Sequence, residues 1–255
     1  MIANYHTHTE RCRHAWGAET EYVQHAINRG LKIFGFSDHA PQWFAGDYYS
    51  RMRMFPSQLS EYCDTVRALQ AQHKDTLQIP LGLEAEYYPA VFDDLVTQAR
   101  DHGIAYMILG QHWIGNEENE PYCGAPTKDE KILQQYCRQT IAAMETAVFT
   151  YLAHPDLIHF VGTRKVYEHH IRELCRSAKD TQTPLEINFL GIQEERHYPN
   201  EVFWQIAAEE GCPVILGIDA HAPGQVSDTA PEVQALELVK KLELNLLETV
   251  TLKKV

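Results

Sequence analysis

The chain has 255 residues, of which 44% are hydrophobic and 22% charged, a composition typical of a globular protein with a sizeable core. Its formal net charge of −13 argues against duplex nucleic acid as the main partner, because such binding depends on Lys and Arg that neutralise phosphates. No stretch resembles a membrane helix, and the N-terminus lacks a secretory signal pattern, so we expect a cytoplasmic protein with no membrane partner.

Short apolar runs alternate with amphipathic segments and predict seven strand–helix units. Strands are expected within residues 2–9, 31–39, 77–86, 105–113, 150–156, 184–192 and 213–221. Helices are expected over 20–30, 57–74 and 92–103, from a capping box at Thr127 and Glu130 to about residue 147, and near 168–179 and 200–210. Such alternation with continuously apolar strands predicts a parallel α/β sheet, either open or closed into a barrel. Without an internal linker or repeat, we expect one domain over residues 1–255.

Two other features bear on function. The stretch 40–56 is long, aromatic and irregular, which is typical of a loop that covers or borders a site. The six cysteines include no CxxC pair, so their spacing favours neither a disulfide framework nor a zinc finger. Cys12 is the one cysteine near candidate chemistry.

Histidine and carboxylate residues recur where the predicted strands end. In chain order these residues are His6 and His8, Asp38 and His39, Glu84 and Glu86, His112, His154 and Asp156, Glu186, and Asp219 and His221. The carboxyl ends of parallel strands converge on one face, where active sites are built. A single histidine in such a place is more often structural than a ligand, but coincidence explains the whole set poorly. Imidazole and carboxylate suit Zn, Mn or Fe, and the set is too large for one ion, so it predicts a multinuclear site that a carboxylate such as Glu84 could bridge.

The order HxH, a further His, DH, Glu, His, HPD and DxH resembles the PHP (polymerase and histidinol phosphatase) family. The matching residues run from residue 4 to about 222 and are His6, His8, His14, His39, Glu84, His112, His154, Asp219 and His221. This resemblance implies a distorted, TIM-like (β/α)7 barrel. The stretch HTHTERCRHAWGAETEYVQHAINRGLKIFGFSDHAP, with the later QH, HPD and EIN, is similar to the histidinol-phosphate phosphatase branch.

The resemblance implies three divalent metal ions, without choosing among Zn, Mn and Fe. The first would be held by His6, His8, Glu84 and Asp219, the second by Glu84, His112 and His154, and the third by His14, His39 and His221. It also implies a phosphoric monoester hydrolase whose metal-bound hydroxide attacks a small phosphorylated metabolite, converting L-histidinol phosphate into L-histidinol and phosphate in histidine biosynthesis. Cys12 matches no ligand position, which favours a packed thiol or one that supports the ligands.

The substrate contacts are less defined than the ligands. An anionic phosphate usually meets an arginine, and Arg196 is the first candidate and Arg164 the second, with a solvated surface role as the alternative for both. In the 40–56 loop, aromatic side chains could cover a substrate ring or simply pack the loop; they are Trp43, Phe44, Tyr48 and Tyr49.

Three other functions stay open at this point. The enzyme could act on another small phosphomonoester, and the loops 40–56 and 114–127 could suit one. It could cleave a nucleotide phosphodiester in a short single strand, although no basic stripe with interleaved aromatics supports that. It could also be a regulatory metal-binding domain without activity, which an intact set of nine ligand residues disfavours.

Overall fold

The computed structural model describes residues 1–44, 46–118 and 121–255; Ala45 of the 40–56 loop and residues 119 and 120 of the 114–127 loop lie outside the described residues. The strands are β1 (Ala3–Asn4), β2 (Ile33–Phe34), β3 (Gly82–Ala85), β4 (Tyr106–Leu109), β5 (Phe149–Leu152), β6 (Leu185–Asn188), β7 (Pro213–Gly217) and β8 (Asn245–Leu246). The helices are α1 (Glu19–Arg29), α2 (Leu59–His73), α3 (Phe92–Asp101), α4 (Glu130–Glu145), α5 (Arg164–Asp180), α6 (Phe189–Gln193), α7 (Glu201–Glu210), α8 (Pro223–Ser227) and α9 (Ala230–Leu242). Each predicted strand–helix unit is therefore present.

Local chemistry explains where the helices end and where two predictions were wrong. Gly30 ends α1 in the left-handed conformation, with φ of 82°, as the sequence predicted. Asp129, and not Thr127, caps α4, because its carboxylate accepts from the Lys131 amide. The apolar run predicted as strand 184–192 turns helical after β6, because the Asn188 side chain caps α6.

The strands follow one another around a ring. Parallel ladders join β1 to β2 and link β3 through β8 in chain order. Isolated parallel bridges continue this pairing; they join Ile33 to Gln78, Phe36 to Leu81, His39 to Glu84, and Thr7 to Ala220. The predicted parallel α/β fold is confirmed, but the ladders themselves leave the ring open between β2 and β3 and between β1 and β7. The short strand β8 pairs with the first half of β7.

Successive side chains along the strands point to opposite faces of the sheet, which separates two apolar layers. In β4, Met107 and Leu109 belong to the large cluster under the helices, whereas Tyr106 and Ile108 belong to a small cluster on the other face. In β3, Leu83 lies in the large cluster, so Glu84, its neighbour along the strand, faces the inside of the ring. The small inner cluster, which also contains Tyr151 and Ile215, fills the space beneath the polar strand ends.

No strand or helix was predicted beyond residue 221, where the structure has α8, α9 and β8. Helix α9 packs on α6 and α7 with Pro231 and Ala235 buried. Over the described residues, no helix combines the length and the apolar character that a bilayer crossing requires.

Candidate metal centre

The structure brings all nine of the predicted ligand residues together at the carboxyl ends of the strands. Seven of them are buried, and His14 and His221 are more open to solvent. Two lie on left-handed backbone just after a strand, with φ of 29° at His154 and 55° at Asp219. Strained backbone of this kind clusters at functional sites, where it aims a side chain that a relaxed strand would direct elsewhere.

Glu84 lies at the middle of this cluster and faces five histidines. Its carboxylate oxygens lie 2.8 Å from His154 Nε2, 3.0 Å from His39 Nδ1, 3.5 Å from His6 Nε2, 3.5 Å from His8 Nε2 and 3.8 Å from His112 Nε2. Gly110, the residue after the neighbouring strand β4, makes room for it, since a β-carbon there would overlap the Glu84 carboxylate. A single carboxylate among so many imidazoles is suited to bridging two cations.

Asp219 forms a second centre next to Glu84. Its Oδ1 lies 3.0 Å from His8 Nε2 and 3.3 Å from His6 Nε2. Side-chain donor atoms of His6, His8 and Asp219 lie within 4.8 Å of one another, and so do those of His14, His39 and His221. The first group contains three of the four residues expected to hold the first ion, and the second group contains the three expected to hold the third.

Three further carboxylates hold histidines from outside the cluster. Glu186 Oε1 lies 2.8 Å from His6 Nδ1, and Glu86 Oε1 lies 2.8 Å from His112 Nδ1. Asp38 Oδ1 lies 3.4 Å from His8 Nδ1. In each pair the Nε2 atom is left to face Glu84 or Asp219, an arrangement that metal-binding histidines commonly show. The sequence placed these three carboxylates at strand ends without giving them a role.

Two other histidines are held by main-chain oxygens. His14 Nδ1 lies 2.8 Å from the Cys12 carbonyl oxygen, and His221 Nδ1 lies 3.0 Å from the Asp219 carbonyl oxygen. Both carbonyls come from residues two positions earlier in the chain, so short turns set these rings. Their Nε2 atoms are again left for another partner.

The histidines held by carboxylates and those held by carbonyls have opposite pKa shifts. Burial lowers the pKa of His6, but the charges of Asp219 and Glu186 outweigh it and raise that pKa to about 10. The pKa values of His8 and His112 are also raised, because carboxylates again outweigh burial. Burial and the charge of His8 lower the pKa of His221 to about 3 and lower that of His14 as well.

The donor atoms fit divalent cations. Among the described residues, several buried nitrogen and oxygen atoms of the cluster have no hydrogen-bond partner; they are His6 Nε2, His39 Nδ1, His154 Nδ1, Glu84 Oε2 and Asp219 Oδ1. Leaving such atoms unsatisfied is costly, and a cation would satisfy those that converge. Imidazole and carboxylate donors suit Zn, Mn or Fe.

A cavity of about 300 Å³ opens above the cluster. Arg196 lines it, with its guanidinium bonded to Glu194 at 2.6 Å and to the Tyr198 hydroxyl at 2.6 Å. Arg164 does not line it; its side chain is 66% exposed and pairs with Glu168 at 2.6 Å. The structure therefore brings Arg196 to the site and leaves Arg164 on the outer surface.

The aromatic side chains of the 40–56 loop pack that loop and do not line the cavity. Phe44 contacts Tyr48 and Tyr88, and Tyr49 packs on Phe55. Other aromatic residues border the cavity, and the sequence did not indicate them; they are Trp16, Trp113, Tyr122 and Tyr198. They come from three separate loops, because Trp113 and Tyr122 both lie between β4 and α4, and no short motif connects these loops.

Comparison with known proteins identifies the family. The PHP domain model matches residues 4–189, and the chain therefore belongs to the PHP family. A probable histidinol-phosphatase of Deinococcus radiodurans is 29% identical over 238 residues, which cover 88% of each chain. The histidinol-phosphatase of Bacillus subtilis is 23% identical over 254 residues, covering 87% of this chain and 94% of the other.

A solved structure confirms the fold. Histidinol phosphate phosphatase from Lactococcus lactis, complexed with Zn, L-histidinol and phosphate, superposes with a TM-score of 0.74 at 21% identity, covering 98% of this chain and 97% of the other. The family resemblance and the PHP fold expected from the sequence are thus both confirmed.

Proposed function

We propose that this chain hydrolyses L-histidinol phosphate to L-histidinol and phosphate, as a step of histidine biosynthesis, at a centre of three divalent cations. The chain is a metal-dependent phosphoric monoester hydrolase of the PHP family, the class that the names of its curated relatives carry. The observation that supports the finer proposal is the convergence of nine histidine and carboxylate side chains, with buried unpaired donor atoms, beneath a cavity that Arg196 borders.

The proposed grouping is the one that the family resemblance implies. His6, His8, Glu84 and Asp219 would hold the first ion, Glu84, His112 and His154 the second, and His14, His39 and His221 the third. Ions held there would lower the pKa of a coordinated water and offset charge on the phosphate. Glu84 contributes to two groups, and its pKa is held well below the usual range because the nearby histidines outweigh burial.

Arg196 binds the phosphate in this proposal. Its guanidinium is planar and can donate two parallel hydrogen bonds to a phosphate group. It already pairs with Glu194 beside the cavity, so an incoming phosphate would exchange one anionic partner for another. The Tyr198 hydroxyl accepts a hydrogen bond from the guanidinium, and the Tyr198 ring lies beneath it, so Tyr198 would keep the guanidinium in place.

The experiment is phosphate release and metal content measured together on one preparation. About three ions per chain with strong preference for L-histidinol phosphate over other phosphomonoesters and a nucleotide diester would support the whole proposal. Equal or better turnover of another ester would support metal-dependent ester hydrolysis but contradict L-histidinol phosphate as the substrate. Bound metal without turnover of any ester would discard the enzyme function.

The role of Arg196 has its own test. Arg196→Ala should lower kcat/KM by about 10- to 100-fold, which corresponds to one lost charged hydrogen bond, with the metal content unchanged. Arg164→Ala is the matched control, because it removes an exposed arginine outside the cavity. Wild-type kinetics in Arg196→Ala would remove Arg196 from the site.

A further inference from the structure

Arg53, in the 40–56 loop, is buried although it carries a full charge. Its side chain is 2% exposed. Nη1 lies 2.7 Å from Glu86 Oε2, and Nη2 lies 2.6 Å from Glu117 Oε2. Arginine is almost never fully buried without partners, and burial of an ion pair often costs more than it returns. Such an arrangement needs a reason other than stability.

Glu86 connects this arginine to the candidate metal centre. Its Oε2 accepts from Arg53, while its Oε1 lies 2.8 Å from His112 Nδ1. His112 Nε2 points the other way, to 3.8 Å from Glu84 Oε1. The charged side chains Glu117, Arg53 and Glu86 thus form one buried network of ion pairs, which ends at His112, a proposed ligand of the second ion.

We propose that Glu86 and Arg53 are positioning residues for the second metal position, and this rests on the metal grouping of the proposed function. Glu86 accepts a hydrogen bond from the Nδ1–H of His112, which keeps the proton on Nδ1 and leaves the Nε2 lone pair for the cation. Arg53 holds Glu86 in that orientation by occupying its other oxygen. The main effect of both residues is on how tightly one ion is bound, although neither touches it.

The position of Glu86 requires a side chain that can accept a hydrogen bond on both of its terminal atoms. Glu86 receives one donor on each oxygen, the guanidinium on one side and the imidazole on the other. A glutamine has one acceptor oxygen and one NH₂ donor. If its oxygen accepts from Arg53, its NH₂ faces His112 and favours the tautomer with the proton on Nε2, which leaves Nε2 without a lone pair for the cation.

The same three charged side chains join two of the loops that reach the cavity. Arg53 follows Met52, which lines the cavity, and Glu117 lies in the 114–127 loop, which contributes Tyr122. The Tyr48 hydroxyl donates to Glu117 Oε1 at 3.0 Å. Ordering of these loops and placement of His112 are therefore coupled through buried charge.

The test is a Mn²⁺ titration, by calorimetry, of full-length protein stripped with a chelator. In Glu86→Gln, one ion should bind about 10- to 100-fold more weakly, the usual cost of losing an outer partner of a metal-binding histidine. The other ions should stay within about twofold of the wild type. If Arg53→Met fails to fold, Glu86→Gln alone still tests the proposal, because in that variant Arg53 keeps its ion pair with Glu117.

Two further variants distinguish this role from loop anchoring. Arg13→Met is the matched control, because Arg13 donates to the Ser50 and Arg53 carbonyls and so anchors the same loop without contacting Glu86. It should leave all ions unchanged. Arg53→Met should weaken the same ion as Glu86→Gln, and the double variant should lose no more than the larger single loss.

The outcomes separate this inference from the proposed function. Wild-type protein that binds fewer than three ions would overturn the metal grouping itself. Three ions in the wild type, with Glu86→Gln binding all of them normally or weakening all of them equally, would overturn the positioning role while leaving the proposed function intact.

Discussion

Five of the seven histidines of the candidate metal centre fall into two regions that are built differently. On one side, His6, His8 and His112 are held by buried carboxylates, and their pKa values are raised. On the other side, His14 and His221 are held by carbonyl oxygens of their own turns, and their pKa values are lowered. The first region attracts protons when no cation is bound, and the second does not.

This difference shows which histidine rings can be reoriented by a single side-chain substitution outside the ligand set. A ring held by a side chain can be loosened by one substitution that leaves every ligand in place. A ring held by a main-chain carbonyl offers no such side chain, so only a change of backbone path would loosen it. The carboxylate-held region is also the more costly to build, because each buried carboxylate must be paired.

The largest effect is expected at Glu84, which faces all three histidines of the carboxylate-held region. Glu84→Gln should lower kcat/KM by more than about 100-fold, the upper end of what loss of an outer partner costs, because Glu84 faces ligands of more than one ion. Steady-state kinetics with metal analysis of the same sample measures this. A variant with full metal content and near-normal turnover would contradict a central role for this carboxylate.

A smaller effect is expected from loosening one ring of the carboxylate-held region. Glu186 Oε1 faces His6 Nδ1, and its Oε2 accepts from the His154 amide at 3.0 Å and from Asn188 Nδ2 at 2.9 Å. Glu186→Gln should weaken metal binding by about 10- to 100-fold, because an amide cannot accept on both sides. Equilibrium dialysis against Zn²⁺ or Mn²⁺ checks this.

The control for that variant is Glu168→Gln, the same chemical change at a partly exposed residue that does not line the cavity. Metal affinity in the control should equal that of the wild type. If the two variants behave alike, carboxylate orientation of His6 is not what sets affinity.

The two regions should also respond to pH in opposite senses when the protein is free of metal. A histidine whose folded pKa is raised stabilises the fold below its unfolded pKa, near 6.5, and that stability is lost as pH rises; for His6 the loss extends to about pH 10. His14 and His221, with lowered pKa values, lose stability as pH falls below about 6.5, as Glu84 and Asp219 do at lower pH.

Urea unfolding in chelator at about pH 5, 6.5 and 9 should therefore give the highest midpoint near pH 6.5. Glu186→Gln should flatten the alkaline side, because Glu186 helps raise the pKa of His6. An alkaline side that is unchanged in that variant would show that other groups cause it.

The fold could be predicted from the sequence because each strand is a short apolar run bounded by helical patterns. The ends of the strands were harder to predict. Residues 189–193 are as apolar as a strand, and the Asn188 cap makes them helical. The ligand residues could be predicted because their order along the chain is distinctive. Glu86 could have been given a role, since it lies two residues after Glu84 and such residues share a side of a strand.

Arg53 and Glu117 could not have been found from the sequence. They are 64 residues apart, in two loops without regular structure, and only the folded chain brings them into contact at 2.6 Å. Nothing in the local sequence marks a buried arginine, because the same residue in an exposed loop would look identical. The cavity aromatics, from Trp16 to Tyr198, escaped prediction for the same reason.

The smallest effect is expected from a side-chain change in the carbonyl-held region. Cys12 is buried, and its carbonyl oxygen accepts from His14 Nδ1, while donor atoms of Cys12, His8 and His221 lie within 4.8 Å of one another. Cys12→Ala keeps the carbonyl and removes only the thiol, so metal affinity should stay within about twofold, with a loss of stability on the order of 1 kcal/mol. Metal titration and urea unfolding measure both. A tenfold or larger loss of affinity would instead make the thiol a ligand, and the carbonyl-held region would then depend on a side chain in the same way as the carboxylate-held one.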